Sequence, residues 1–382
     1  MNKHDVFRIH SQIIRDYSDF VTSFINISDD RIRLVVESEL GDGRYWPEPL
    51  IQFNPAFKMA ETTSKLCSDG VLHPDLQAIF GDYRLFRHQV EALRLGIQGK
   101  DFVVTSGTGS GKSLTYLGTI FNTLLQQPRE PGIKAIIVYP MNALINSQFN
   151  EIGKYKDNYE KTRGVQFPIS YAKYTGQENE EQREAVRTGL HDIILTNYMM
   201  LELLLTRSED RELVRAAQGL RFLVFDELHT YRGTPGTEVA YLLRVLLDRL
   251  GLSPDSDQLR IIASSASLEG NESEAKEYLE DFFGRNRSRF EIVAGVALPA
   301  NPAAINTCRG HAPAFRDFGI AVGDDSENLT APARAIANAV GVGQGSNDPS
   351  ALLREVALRA EAGEALRAAC HVDGSLIPRS PS

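Results

Sequence analysis

Cysteine is scarce in this sequence, and long hydrophobic runs are absent. The three cysteines, Cys67, Cys308 and Cys370, lie far apart and form no CxxC pair. This spacing predicts neither a disulfide framework nor a zinc site, and it is typical of a reducing compartment. No apolar run reaches about 18 residues, the length of a membrane span, and the amino terminus lacks the apolar core of a signal peptide. We therefore expect a cytoplasmic protein with no membrane partner.

Positive charge is in deficit as well. The sequence has 41 Lys and Arg against 50 Asp and Glu, a formal net charge of −9. This average does not predict nucleic-acid binding, although it is compatible with one basic groove. The 42% of hydrophobic and 24% of charged residues exclude collagen-like, mucin-like and wholly disordered classes. Evidence for a nucleic-acid partner must therefore come from motifs.

The middle of the sequence alternates short apolar runs with segments of helical periodicity. Each run has the length of a strand and is apolar almost throughout, as expected for parallel strands buried on both faces. The runs cover residues 101–105, 134–139, 192–196, 220–226 and 260–264. Residues 113–126 and 238–250, between them, carry apolar residues at helical spacing. The pattern predicts a doubly wound α/β fold with a parallel sheet.

Composition divides the sequence into three regions. Residues 1–80 are predicted to form a mostly helical accessory region, with a long helix over 5–27 whose apolar stripe packs against another element. Residues 81–285 hold the alternating pattern. Residues 286–382 are richer in Ala, Arg and Gly and are interpreted as a carboxyl-terminal extension of mixed loop and helix, with helix over 351–370.

A glycine-rich loop follows the first apolar run. Residues 106–113 read SGTGSGKS and stand between a predicted strand and a predicted helix, which is the context of a P-loop. Backbone N–H groups of such a loop and the start of the helix surround a phosphate. Lys112 would reach the β- and γ-phosphates, and the Ser113 hydroxyl would bind Mg²⁺. We predict Mg-ATP as cofactor, bound by Ser106, Gly107, Thr108, Gly109, Ser110, Gly111, Lys112 and Ser113.

Two adjacent carboxylates end another apolar run. Asp226 and Glu227 follow a predicted strand, and ligands of open α/β sheets bind beyond such strand ends. Asp226 is suited to hold Mg²⁺, and Glu227 to orient and deprotonate an attacking water. Solvated charges on an edge strand are the alternative interpretation. The P-loop in the same chain favours a catalytic pair that acts together with Lys112.

Further segments, in order along the chain, resemble the motifs of superfamily 2 helicases. YRLFRHQ at 83–89 resembles the adenine-reading segment of that family. The resemblance implies that Gln89 hydrogen-bonds the adenine edge. The family also uses three nucleic-acid-facing segments, which YPMNAL, TGQ and LTNYMM resemble. The resemblance therefore implies that Asn142, Thr175 and Thr196 contact the phosphate backbone of a nucleic acid.

Two more segments complete the resemblance. SSAS at 264–267 resembles the motif that links ATP hydrolysis to strand movement, with Ser267 where the family usually has threonine. DELHTYRG at 226–233 is similar to the DEAH-type branch that includes the MrfA-like DNA repair helicases and large helicases of bacterial defence systems. The resemblance implies a RecA-like P-loop NTPase lobe over 81–285, a coupling role for His229 and Ser265, and DNA in preference to RNA.

The second lobe that such helicases use is not recognisable. After Ser267 no segment resembles the family's Gln-x-x-Gly-Arg-x-Gly-Arg motif, whose arginines complete the ATP site. Residues 286–382 resemble the insertion between lobes of large family members. We expect an ATP-dependent helicase or translocase lobe that hydrolyses ATP. The alternatives are a non-motor ATP-binding interaction module, and a truncated chain or subunit that needs a second RecA-like lobe or a partner chain in trans.

Overall fold

The computed structural model describes most of the chain. The described residues are 6–24, 27–41, 49–53, 56–107, 109–127, 130–189, 191–268, 271–323, 329–343, 348–372, 375–376 and 378. They form two compact units, one over 56–298 and the other from the described parts of 1–55 and 299–382.

The described residues form helices and strands in both units. The helices are α1 (Val6–Thr22), α2 (Asp30–Gly41), α3 (Thr63–Ser68), α4 (Asp75–Phe80), α5 (Arg87–Ile97), α6 (Lys112–Gln126), α7 (Asn142–Arg163), α8 (Glu180–Thr188), α9 (Tyr198–Thr206), α10 (Arg211–Ala216), α11 (Gly233–Arg249), α12 (Glu272–Phe283), α13 (Ala303–Gly310), α14 (Ala312–Val322), α15 (Thr330–Val340), α16 (Pro349–Arg359) and α17 (Ala362–Cys370). The strands are β1 (Met59–Thr62), β2 (Arg84–Phe86), β3 (Asp101–Thr105), β4 (Ala135–Tyr139), β5 (Tyr171–Tyr174), β6 (Ile193–Asn197), β7 (Phe222–Phe225), β8 (Arg260–Ser265), β9 (Phe290–Ala294), β10 (His371–Val372) and β11 (Ser375–Leu376). Short 3-10 turns cover Ser208–Asp210, Ala217–Gly219, Leu228–Thr230 and Arg287–Arg289.

Seven strands of the unit over 56–298 form one sheet, in the order β5-β6-β4-β7-β8-β3-β9. Every neighbouring pair in it is parallel. Thr105 of β3 pairs with Ser265 of β8, and Phe225 of β7 pairs with Ala263 of the same strand. The ends of β3, β7 and β8 therefore lie together at the carboxyl edge of the sheet. The doubly wound α/β architecture predicted from the apolar runs is confirmed.

The central strands bury side chains on both faces of the sheet. Val103 belongs to the apolar core on one face, while its neighbours Phe102 and Val104 belong to the core on the other. Each such side chain contributes on the order of 1.5–3 kcal/mol when it is fully buried. This two-sided burial is the reason that the middle positions of these strands are apolar on both faces.

A buried ion pair closes the opposite, amino edge of the sheet. Asp101 Oδ2, at the start of β3, lies 2.5 Å from Arg285 Nε, and both side chains are almost fully buried. Arg285 also donates to the backbone oxygens of Pro254 and Leu259, at 2.6 and 2.9 Å. The pair thereby connects β3 to the segment between α12 and β9 and to the residues before β8.

The unit over 56–298 is wider than the lobe predicted over 81–285. Residues 56–80, which the sequence analysis groups with the accessory region, contribute β1, α3 and α4 to it. At its other end the unit extends to residue 298 and so includes β9.

The second unit is helical, and its helices differ in two ways from expectation. The apolar stripe of α1 does not pack as expected, because Ile13 and Phe20 are 59% and 60% exposed. The helix expected over 351–370 consists of α16 and α17, which are separated at Glu361, where φ is +51°. A small apolar core that includes Ile336 and Val356 joins α15 to α16. Within the described residues, no helix has the length and apolar character that crossing a membrane requires.

Candidate functional site

The predicted phosphate loop connects β3 to α6 at the carboxyl edge of the sheet. Lys112 is 7% exposed, and its Nζ donates to the backbone oxygen of Ser106 at 2.9 Å. The hydroxyls of Ser106 and Ser110 lie 2.6 Å apart. Gly111 precedes the helix with φ of +70°, a left-handed conformation that favours glycine. The loop thus folds around the lysine ammonium; Thr108 lies outside the described residues.

Gln89, the predicted adenine reader, lies against this loop. Its Oε1 accepts from the backbone N–H of Phe86 at 2.8 Å, and its Nε2 donates to the backbone oxygen of Gly111 at 2.9 Å. The neighbouring His88 donates through Nε2 to the backbone oxygen of Ser110 at 3.1 Å. Burial lowers the pKa of His88, so this imidazole is neutral near pH 7. The start of α5 therefore sets the position of the end of the loop.

Asp226 is a buried carboxylate next to the end of β7. It is 5% exposed, and its Oδ1 accepts from the Ser264 hydroxyl of the adjacent strand β8. Burial raises the pKa of Asp226 to about 6, because removing water disfavours the charged form. The charge of Glu227 raises this pKa further, whereas the Ser264 hydrogen bond and the Lys112 charge lower it.

Glu227 has an unusual backbone conformation, with φ of +51° in the left-handed region. Its N–H donates to the Ser264 hydroxyl oxygen at 3.2 Å, and its backbone oxygen accepts from the Thr230 hydroxyl at 2.8 Å. Its Oε1 lies 3.7 Å from Lys112 Nζ, and its Oε2 lies 3.4 Å from His229 Nδ1. The structure therefore brings the carboxylate pair close to the loop that holds Lys112, although the two segments are more than 100 residues apart in the sequence.

His229 and Ser265 are also close together. The backbone N–H of Ala266 donates to His229 Nδ1 at 3.2 Å, and Ser265 Oγ lies 3.4 Å from the same nitrogen. The Ser265 hydroxyl itself donates to the backbone oxygen of Ser267 at 2.7 Å. One ring nitrogen thus links the turn after β7 to the segment after β8.

The three predicted nucleic-acid contacts have different surroundings. Thr196 is fully buried, and its hydroxyl donates to the backbone oxygen of Tyr174 at 2.7 Å. Thr175 is 5% exposed, and its hydroxyl donates to Glu178 Oε1 at 2.8 Å. Asn142 is half-buried, and its Oδ1 accepts from Asn197 Nδ2 at 2.7 Å. The two threonine hydroxyls are therefore used inside the protein, and Asn142 is the most accessible of the three.

Sequence reasoning missed the residues that hold these groups in place. Ser264 serves both carboxylate residues, although it lies in the SSAS segment, where only Ser265 received a role. Glu178 accepts from the N–H groups of Thr175 and Gly176 at 2.8 and 2.9 Å, in addition to the Thr175 hydroxyl. Asn197 lies directly after Thr196. In the sequence, each of these residues could have been noticed as a polar or acidic residue next to a motif residue.

The arrangement of carboxylates bears on how a metal ion would bind. Among the residues that the structure describes, no three or more His, Cys, Asp or Glu side chains are grouped so as to hold a metal ion. Mg²⁺ in nucleotide sites commonly takes one or two protein ligands and completes its shell with phosphate oxygens and water. The residues available for this role are Ser113, at the start of α6, and Asp226.

Comparison with known proteins gives consistent matches. The family model for the DEAD/DEAH box helicase matches residues 86–275. An uncharacterized ATP-dependent helicase of Methanocaldococcus jannaschii is 30% identical over 211 residues, 55% of this chain and 29% of the relative. A crystal structure of the DUF1998 helicase MrfA bound to DNA and AMPPNP aligns with a TM-score of 0.51 and 21% identity, over 86% of this chain and 47% of that chain. The DEAD-box helicase Mss116 bound to ssRNA and UDP-BeF aligns with a TM-score of 0.52 and 16% identity, over 69% and 54%.

These matches concern only part of each known protein. The chain spans less than a third of the Methanocaldococcus relative and about half of the two solved structures. The structural matches identify the sheet over 56–298 as RecA-like. Through this lobe the chain belongs to the DEAD/DEAH box helicase family.

Proposed function

We propose that this chain is the first motor lobe of an ATP-dependent nucleic-acid helicase or translocase, and that it binds and hydrolyses Mg-ATP. The observation that carries the proposal is the 3.7 Å distance between Lys112 Nζ and Glu227 Oε1. This distance brings a phosphate-binding loop next to a carboxylate that can serve as general base. Membership of the helicase family supports the same activity.

The residues at the carboxyl edge fit a magnesium nucleotide. Lys112 would bind the β- and γ-phosphates together with the backbone N–H groups of the loop, and Gln89 would bind adenine. Ser113 and Asp226 would hold Mg²⁺, which supplies neutralisation of phosphate charge when bound. Burial raises the pKa of Asp226 to about 6, and a bound cation would act in the opposite direction by favouring the ionised carboxylate.

Glu227 would act as general base toward the attacking water. Its carboxylate is 25% exposed, so water can reach it, and its backbone is held by Ser264 and Thr230. The contact between Glu227 and His229 continues through Ala266 to the segment after β8. We assign the coupling of hydrolysis to strand binding to His229 and Ser265 on this basis.

The proposed partner is a nucleic-acid strand, DNA in preference to RNA, and the DELHTYRG segment supports this choice. Asn142 would contact the strand backbone directly, because its side chain is half-buried rather than enclosed. Thr175 and Thr196 would support the contact by fixing the loops after β5 and β6, together with backbone groups of the same loops. Such contacts grip phosphates without reading sequence.

The alternative is an ATP-binding module that docks on a partner and does not move along a strand. In a related alternative, a second RecA-like lobe in trans would supply the arginines that complete the ATP site. The Glu227 carboxylate beside Lys112 favours an enzyme, because a module that only binds ATP needs no general base.

Steady-state ATP hydrolysis by the purified chain tests the proposal, measured with and without single-stranded DNA, duplex DNA and RNA. We expect Lys112→Ala to weaken ATP binding by about 100-fold or more, since it removes charge-assisted hydrogen bonds. We expect Glu227→Gln to keep ATP binding and to lower turnover by about 100-fold or more. Lys65→Ala and Glu238→Gln, at exposed positions of α3 and α11, are the matched controls.

Each outcome has a definite meaning. Stimulation of hydrolysis by one nucleic acid supports a coupled motor lobe and identifies the strand. ATP binding without turnover under every condition favours the module or a second lobe in trans. Tight ATP binding by the Lys112 variant contradicts the site assignment.

A further inference from the structure

A polar cavity lies at the amino edge of the sheet, where the strands begin, opposite the phosphate loop. It has a volume of about 310 Å³, and its charged lining residues are the cations Lys134, Arg221 and Arg260 and the carboxylates Glu130 and Asp257. Lys134 directly precedes β4, Arg221 directly precedes β7, and Arg260 begins β8. Because β4, β7 and β8 are neighbouring parallel strands, their starts place three cations side by side. We call this the amino-edge cavity.

The carboxylates of the amino-edge cavity do not neutralise these cations. Glu130 Oε2 lies 3.6 Å from Lys134 Nζ and 3.5 Å from an Arg221 nitrogen, so one carboxylate serves two cations. Both distances exceed the roughly 2.7–2.9 Å of a charge-assisted hydrogen bond. Asp257 pairs at 3.0 Å with Arg289, which does not line the cavity, and its side chain is 95% exposed. The cavity therefore has an excess of positive charge.

Two of the cations are partly or largely buried. The Lys134 side chain is only 8% exposed. Arg260 lies over the Phe222 ring at 5.3 Å and donates one bond of 3.4 Å to the backbone oxygen of Gly96. Burial and the charge of Arg221 lower the pKa of Arg260, which means that the two guanidinium groups repel each other. An anion between these groups would relieve the repulsion and would compensate for the hydration that the cations lose on burial.

We infer that the amino-edge cavity binds a phosphate-type oxyanion with two or more negative charges. A guanidinium group can bind two phosphate oxygens in fork geometry, and the cavity offers two guanidinium groups together with the Lys134 ammonium. The volume is at the lower end of that of small-ligand sites and suits a diphosphate or a small phosphate ester. The phosphate has two possible sources of the same chemistry: a free anion, or the terminal phosphate of a nucleic-acid strand. This site is independent of the proposed ATP site.

The test uses the full chain carrying Lys112→Ala, so that the phosphate loop does not contribute. Inorganic diphosphate is titrated calorimetrically at low ionic strength, where surface charges are least screened. We expect one saturable site. Arg221→Gln in this background should weaken diphosphate binding about tenfold or more, because it removes a charge-assisted contact.

Glu130→Gln provides a change in the opposite direction. It removes the carboxylate that competes for Lys134 and Arg221, so diphosphate binding should strengthen about two- to fivefold. The matched controls are Arg215→Gln and Glu212→Gln, an exposed ion pair on α10 in which both side chains are 69% exposed. Both control variants should leave the affinity unchanged. Arg221→Gln in the chain with native Lys112 should keep its affinity for ATP, which shows that the variant is folded.

Two oligonucleotides of one sequence, with a 5′-phosphate and with a 5′-hydroxyl, distinguish the sources. Tighter binding of the phosphorylated strand that disappears in Arg221→Gln assigns the site to a strand terminus. Equal binding of the two strands, together with the diphosphate site, assigns it to a free anion. The inference is overturned if millimolar diphosphate does not bind to the Lys112→Ala chain, or if Arg221→Gln and Glu130→Gln bind it as the controls do.

Discussion

Replacing Asp226 by Asn should make the chain more stable near neutral pH while it abolishes ATP hydrolysis. Burial raises the pKa of Asp226 from the ordinary 3.8 to about 6 in the folded chain. Between these two values the folded state binds a proton that the unfolded state has released. Stability therefore falls as the pH rises from about 4 to about 6, and the loss is complete above pH 6.

The size of this effect follows from the shift. A difference of about two pKa units corresponds to about 3 kcal/mol at about 1.36 kcal/mol per unit. Asn is close to the neutral acid in shape and accepts the Ser264 hydrogen bond in the same way. Asp226→Asn should thus gain up to about 3 kcal/mol at pH 7.5 and close to nothing at about pH 4.

Urea unfolding without nucleotide or Mg²⁺ measures the gain. Because the chain has two compact units, unfolding is best followed by pulse labelling of amides, read on peptides from β4 and β7. Asp248→Asn, an exposed carboxylate on α11, should change stability by less than about 0.5 kcal/mol. A stability of Asp226→Asn equal to or below that of the native chain at pH 7.5, or a gain independent of pH, would refute the reasoning.

Ser264→Ala should act in the opposite direction. It removes the hydrogen bond that lowers the pKa of Asp226, so this pKa rises further. The loss should be about 1.5–3 kcal/mol at pH 7.5, the usual size for a hydrogen bond to a charged group. The same substitution in the Asp226→Asn chain should cost less, and the difference between the two costs measures the coupling of the pair.

Two further predictions concern the loop and the amino edge. Gly111→Ala should weaken ATP binding, because an added Cβ would lie 2.4 Å from Gln89 Nε2; Gly164→Ala, with the same φ of +70° and no atom within 4 Å, should show only the backbone cost of about 1–2 kcal/mol in urea unfolding. Arg285→Met should lower stability by about 3–5 kcal/mol, because it leaves the buried Asp101 carboxylate without its nearest cation and with the more distant Arg289 guanidinium at 3.7 Å. Adding Asp101→Asn should restore most of that loss, and a double variant no more stable than Arg285→Met would contradict the explanation.

The central strands of the sheet could be predicted from the sequence because each of them contains several consecutive apolar residues. The predicted run 101–105 coincides with β3, and the run 260–264 ends one residue before β8 does. The run 220–226 extends beyond β7 at both ends, and its end residues Leu220 and Asp226 are buried as well. Continuous burial on both faces gives consecutive apolar residues in the middle of each strand, and that pattern can be recognised without a structure.

The two edge strands could not be predicted in this way. In β5, positions alternate between partial and full burial, and in β9 only Phe290 and Val293 are buried. A short strand that is half exposed has no continuous apolar run, and its alternation covers too few residues to stand out. Strands β5 and β9 are the two outermost strands of the sheet, where burial on both faces is not required.

In the candidate site, too, some residues could be predicted from the sequence and others could not. Lys112, Asp226 and Glu227 were recognisable because phosphate chemistry requires these residue types at fixed places in the chain. Ser264 and Glu178 act through contacts that depend on three-dimensional packing, so only the structure could reveal them. Thr196 illustrates the converse, because its motif position was readable while its full burial was not.

The left-handed backbone of Glu227 has a consequence for directed evolution. A residue with a side chain costs about 1–2 kcal/mol in this conformation, whereas glycine or asparagine adopts it with little cost. A selection that rewards heat resistance alone should therefore replace Glu227 early, as it should replace Asp226. When libraries are screened to stabilise this lobe, ATP turnover should be measured at every round, because the most stabilising substitutions are those expected to remove the proposed hydrolysis.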